Sequence, residues 1–173
     1  ILNTPLDQSL LFTVVVHGAT VLSIIVVFWK DIASLASEAL KFEWNESSKY
    51  IMKIFISMIP VLFIGVFFKE EVESFFVGNL TLVGIMLLIT AGLLAVAYFY
   101  NPSNKSITTK SAFIVGLAQA LAVMPGISRS GATISTGLLL GAKRNEITRF
   151  SFLMVLIPII GANILDLAGK DFS

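Results

Sequence analysis

Residues 10–29, 50–68 and 80–100 are each about 20 residues of almost unbroken apolar side chains, and residues 150–167 form a fourth, slightly shorter run. An α-helix rises 1.5 Å per residue, so a run of about 20 residues matches the roughly 30 Å of hydrocarbon in a bilayer. Four such runs leave little of the chain for anything else. With 56% hydrophobic and only 13% charged residues, the sequence reads as an all-α integral membrane protein, a polytopic helical bundle forming one transmembrane domain over residues 1–173.

The connections set the topology. Residues 30–49 form an amphipathic polar connection, "KEEVESFFVGN" follows the second run, and "NPSNKSITTK" follows the third with plain turn chemistry. If the runs are spans, one side of the membrane holds Lys30, Lys41, Lys49, Lys105, Lys110, Lys143, Arg144 and Arg149, while the other holds Lys69 and Lys170. The basic side is then cytoplasmic, and the acidic "KEEVE" turn lies outside.

Residues 111–142 break this pattern. Their 32 positions carry a single charge, Arg129, and five of the twelve glycines, and Pro125-Gly126 and Gly131 divide them into pieces of about 14 and 11 apolar residues. Each piece is short for a span. Irregular backbone at membrane depth is tolerated where protein or a water-filled cavity satisfies it, so the segment is expected to be a re-entrant helix-loop-helix with "PGISRSG" at its tip. Two complete but kinked spans are the alternative. A hairpin returns to its own side, and both its flanks, "NPSNKSITTK" and "KRNEITR", are basic. A loose echo between "LLFTVVVHGATVLSII" and "FSFLMVLIPIIGANIL" suggests that the hairpin is half of an inverted repeat, with a partner hairpin upstream of residue 1.

An arginine at the bilayer centre costs about 2.5 to 3.5 kcal/mol on insertion scales, so it needs a cavity or a counter-ion. No acid lies within the segment; Glu146 and Asp166 are the nearest in the chain. Ser128, Ser130 and Thr133 supply hydroxyls, and Gly126 and Gly131 let backbone approach closely. A helix starting near Ser130 would also aim the N–H groups of residues 131–133 at the tip. Together with the planar guanidinium fork, these donors suit a phosphate or diphosphate better than a carboxylate. The plainer alternatives are an Arg129 paired with an acid elsewhere and glycines that only pack helices, as "GLLLG" at 137–141 suggests.

Residues 125–133, "PGISRSGAT", match over nine consecutive positions the signature P-G-x-S-R-S-G-A-T of the bacterial undecaprenyl-diphosphate phosphatases, also called bacitracin-resistance proteins. "QALAVMPGISRSGATIS", "EITRFSFLMVLIPIIGA" and "VVVHGATVLSIIVVFWKDI" resemble the same family, and the resemblance covers the whole chain. It implies hydrolysis of undecaprenyl diphosphate to undecaprenyl phosphate and inorganic phosphate, which recycles the lipid carrier of cell-wall synthesis and confers bacitracin resistance. It further implies a multi-pass protein of the bacterial plasma membrane, with the bilayer and a polyprenyl diphosphate as partners.

By the same resemblance, Arg129 clamps the diphosphate, Ser128 and Ser130 share the catalytic site, and Gly126, Gly131 and Thr133 bind substrate. A divalent cation, Mg or Ca, is implied as well. Its ligands would belong to the family's other signature, E-G-x-T-E-F-L-P-V-S-S-x-G-H, which these residues do not contain, so the chain is expected to be a central fragment with no metal ligands and no turnover of its own. A homodimer is left open.

Other readings are narrower. A net charge of +1 without a basic face argues against nucleic acid, and the absence of cysteine excludes disulfides and thiolate chemistry. His17 is expected to hydrogen-bond between helices, Pro60 and Pro158 to kink theirs, and Asp166 to sit at an interface. A polyprenyl-phosphate carrier or flippase that binds the same headgroup without cleaving it is the competing function.

Overall fold

The computed structural model describes residues 6–41, 45–75 and 80–168. Among these there are eight α-helices and no strand: α1 (Leu6–Val27), α2 (Trp29–Ala39), α3 (Glu46–Phe67), α4 (Lys69–Ser74), α5 (Leu80–Phe99), α6 (Thr109–Leu121), α7 (Arg129–Leu139) and α8 (Arg144–Ala168). The chain is an all-α polytopic membrane protein. α3 and α5 are each long and apolar enough to cross a bilayer, and α1 with α2 is a third candidate bent by 78° between them. The helices α1 and α8 cover the first and fourth apolar runs. The side chains of His17 and Asp166 lie outside the described residues.

Each boundary follows from local chemistry. α3 starts where the Asn45 side chain accepts the Ser48 N–H at 2.9 Å, satisfying one of the donors that a helix start leaves unpaired. α6 starts with a reciprocal capping box between Thr108 and Ser111. The polar connection after α1 becomes the amphipathic helix α2: Phe28, Ile32 and Leu35 recur at helical spacing and pack on the core, while Lys30 and Asp31 stay at the polar surface.

In lipid, helices associate through close packing more than through burial of apolar surface, and small residues set how near two backbones come. Gly116 of α6 lies against the backbone of Ser57 in α3, where any Cβ would collide, and Gly137 of α7 lies against Ile147 of α8. Around these contacts sit Ile54 and Met58 of α3, Ala112 and Val115 of α6, Leu138 of α7 and Phe150 and Met154 of α8. The core therefore brackets α6 and α7 between α3 and α8.

These two central helices have 13 and 11 residues, or about 20 and 16 Å at 1.5 Å per residue, against about 30 Å for the 20 residues of α5. Their outer ends are stitched together: Lys105 N donates to Gly141 O at 2.9 Å, Lys143 N donates to Lys105 O at 3.1 Å, and the Glu146 carboxylate accepts the Ile107 N–H at 2.9 Å. The turn there needs Gly141, whose φ is +88°. The pair thus leaves and returns at one end of the bundle, and its turn, residues 122–128, reaches into the middle.

Candidate functional site

The turn is held against α5. Gly126 has φ +93° and lies so close to the Val83 carbonyl that a Cβ would collide, so both the backbone region and the space demand glycine. Ser128 N donates to Thr90 Oγ1 at 3.2 Å. Thr90 is the eleventh of the 20 residues of α5, which places this contact about 15 Å from either end of that helix. The start of α7 is therefore level with the middle of a membrane-length helix.

Ser128 is the N-cap of α7, its Oγ accepting the Gly131 N–H at 3.1 Å while its carbonyl accepts the Ala132 N–H at 2.8 Å. This revises the expected set of free donors. The helix begins one residue earlier than expected, so the N–H groups of 131 and 132 are occupied, and those of Arg129 and Ser130 are the ones that no helical carbonyl takes. The change still leaves two backbone donors beside the guanidinium, at the positive end of the helix dipole.

Arg129 is exposed and lines two cavities. One, of about 190 Å³, is lined by Thr20, Ile24, Arg129, Ser130, Ser151, Phe152, Val155 and Ile159. The other, of about 420 Å³, is lined by Thr20, Val61, Gln119, Val123, Arg129, Pro158 and Ile159. Among the described residues Arg129 forms no ion pair, and no Asp, Glu or His lines either cavity. An unneutralised guanidinium facing low-dielectric walls is a strong attractor of anions.

The six residues singled out by sequence divide by position. Arg129 and Ser130 face a cavity, and Ser128 caps the helix beside them. Gly126 and Gly131 pack on α5, where a Cβ on Gly131 would press on Ser128 Oγ and Thr90 Cγ2. Thr133 is fully buried and turned away: its hydroxyl is 2.6 Å from that of Ser151 and also donates to the Arg129 carbonyl at 2.9 Å. This hydroxyl ties α7 to α8 at the level of Arg129. Thr20 of α1, Gln119 of α6 and Ser151 of α8 also line the cavities and escaped notice. Their only signal in the sequence was a lone uncharged polar side chain within an apolar run.

A divalent cation wants several oxygen ligands with carboxylates among them. No cluster of three His, Asp or Glu side chains exists among the described residues, so the residues seen here do not by themselves fit such an ion.

The family profile described as bacitracin resistance protein BacA matches residues 1–173. A protein of Parabacteroides distasonis named undecaprenyl-diphosphatase is 54% identical over 172 residues, covering 96% of this chain and 65% of its own length. One of the same name from Bacteroides thetaiotaomicron is 52% identical over 170 residues, covering 95% and 64%. A more distant one from Oceanobacillus iheyensis is 37% identical over 172 residues, covering 92% and 62%. The chain thus spans less than two thirds of the length of these relatives, but the match runs through all of its own helices. It belongs to the bacitracin resistance protein BacA family.

Proposed function

We propose that the whole protein hydrolyses undecaprenyl diphosphate in the bacterial plasma membrane, and that the tip of α6–α7 grips the diphosphate. The observation that carries this reading is Arg129: a cation level with the middle of α5, facing two cavities, with no acidic partner among the described residues. The names of the relatives supply the substrate and the reaction. The hairpin is read as re-entrant, because its two ends are stitched together on the basic side while its turn stops level with mid-bilayer.

In the reaction, the oxygen of water attacks the terminal phosphorus, and the anhydride P–O bond breaks. Undecaprenyl phosphate leaves with the bridging oxygen, and inorganic phosphate keeps the oxygen of water. Catalysis of this transfer consists mainly of alignment and of compensating charge on the phosphoryl oxygens. Arg129 supplies a fixed fork for two of those oxygens, and the free N–H groups of Arg129 and Ser130 supply donors at a helix start. Ser128 holds that start in place through its cap, and the Ser130 hydroxyl faces the smaller cavity. None of the described residues lining these cavities is a base that could take the proton of water.

The test is phosphate release from undecaprenyl diphosphate by the whole protein in detergent, with Arg129→Lys beside it. A single ammonium cannot replace the fork, so most of the activity should disappear. Wild-type turnover in that variant would remove the clamp. Movement of the headgroup across liposomes without phosphate release would replace hydrolysis by transport.

A further inference from the structure

One residue lining the larger cavity beside Arg129 carries a buried polar atom with no partner among the described residues. Gln119 of α6 is 1% exposed, its Oε1 finds no hydrogen bond among the described residues, and the residue lines the same cavity as Arg129. Leaving an amide unsatisfied within an apolar helix is unfavourable, and buried polar groups in native proteins nearly always have partners. Among the described residues the rest of the lining, Arg129 apart, offers little to pair with. Thr20 already donates its hydroxyl to the Val16 carbonyl at 2.9 Å, and Val61, Val123, Pro158 and Ile159 bring hydrocarbon side chains.

A carboxamide carries one acceptor and two donors of nearly equal size, and a half-turn of its last torsion exchanges oxygen for NH2. It can therefore present a donor to an anion that enters the cavity. Arg129 approaches from α7 and Gln119 from α6, so the two stand on different arms of the hairpin. We propose that Gln119 is a second headgroup-binding residue, donating its amide N–H to a phosphoryl oxygen of the diphosphate that Arg129 grips. This rests on reading the cavity as the diphosphate site. It makes the grip two-sided and gives α6 a direct part in it.

The role separates from a structural one by the sign of the stability change. A glutamine that held helices together would lose stability as leucine, whereas one whose oxygen is unpaired in the empty protein should lose none or gain. The experiment compares wild type, Gln119→Leu, Gln119→Glu and Arg129→Lys in the whole protein, measuring Tm without substrate and kcat and KM for phosphate release from undecaprenyl diphosphate. For Gln119→Leu the expected result is an unchanged or higher Tm with kcat/KM lowered by about tenfold or more, the weight of a hydrogen bond to a charged group. Gln119→Glu keeps the shape but brings a negative charge to an anion site, so it should lose more. If Gln119→Leu is kinetically wild type while Arg129→Lys is impaired, the proposal fails and the phosphatase reading stands. If Arg129→Lys is also wild type, both fall. A Gln119→Leu protein that loses Tm or does not fold overturns the proposal in favour of a structural role.

Discussion

Arg129 and Arg149 lie one on each side of the α7–α8 junction and have opposite surroundings. Arg149 is 3.1 Å from the Asp31 carboxylate, and its guanidinium lies 5.6 Å from the centre of the Tyr50 ring. Its acid comes from α2 and its ring from α3, so this arginine fastens three helices at the polar end of the bundle. Arg129 has neither kind of partner among the described residues, only two cavities. The difference teaches that an arginine in a membrane protein is informative through its counter-ion: one paired with an acid is accounted for by that pair, and one without an acid calls for an anionic ligand.

Replacing each arginine by lysine should separate these two kinds most widely. Arg129→Lys should lower phosphate release on the order of 100-fold, as loss of a preorganised donor to transition-state charge does. Arg149→Lys should change it less than about fivefold, since a partly exposed pair contributes at most about 1 kcal/mol. Equal losses in the two variants would erase the distinction.

Next in size are the contacts that keep the tip at its depth. Gly126→Ala places a Cβ at φ +93° against the Val83 carbonyl, and should destabilise by about 1 to 3 kcal/mol, read as a lowered Tm. Gly84→Ala, one residue along α5 from Val83 and with open space around it, should be neutral or raise stability by about 0.5 to 1 kcal/mol. A Gly126→Ala protein as stable as wild type would show that the tip is not pinned there.

The Thr133 hydroxyl is a smaller test. Thr133→Val leaves the buried Ser151 hydroxyl without its partner and should cost about 1 to 2 kcal/mol; adding Ser151→Ala should recover part of that loss, because removing both partners strands neither. If the double variant is instead the sum of the singles, the two hydroxyls are not coupled. The smallest effect belongs to Asp31→Asn, where both side chains of the pair are about a third or more exposed. Less than about 1 kcal/mol should be lost, and less again at high salt, with turnover unchanged. A large loss would make the polar end as critical as the tip.

Much of the helical layout was legible because hydropathy and capping are local. The four apolar runs fall within α1, α3, α5 and α8 to within a residue or two, Asn45 and Thr108 stand where helices begin, and Pro125-Gly126 stands where the hairpin turns. The candidate site was legible only along one stretch of chain. "PGISRSGAT" drew attention to Arg129, but that the Thr133 hydroxyl meets Ser151 of α8 depends on helical phase and packing, which the motif does not carry. Nothing in the run "VGLAQALAV" told that Gln119 would be buried with an unpaired oxygen beside that arginine.

By itself the sequence determined that the chain is helical and membrane-embedded, roughly where the four long helices lie, and that one cation interrupts an otherwise uncharged segment, since each depends on the chemistry of neighbouring residues. Tertiary structure decided which side chains meet that cation. Thr20, Gln119, Arg129 and Ser151 come from four helices and line two cavities that share Thr20 and Arg129, with Gly116 and Gly137 letting α6 and α7 approach α3 and α8 closely. That convergence is a matter of helix crossing and rotation, which no local pattern carries.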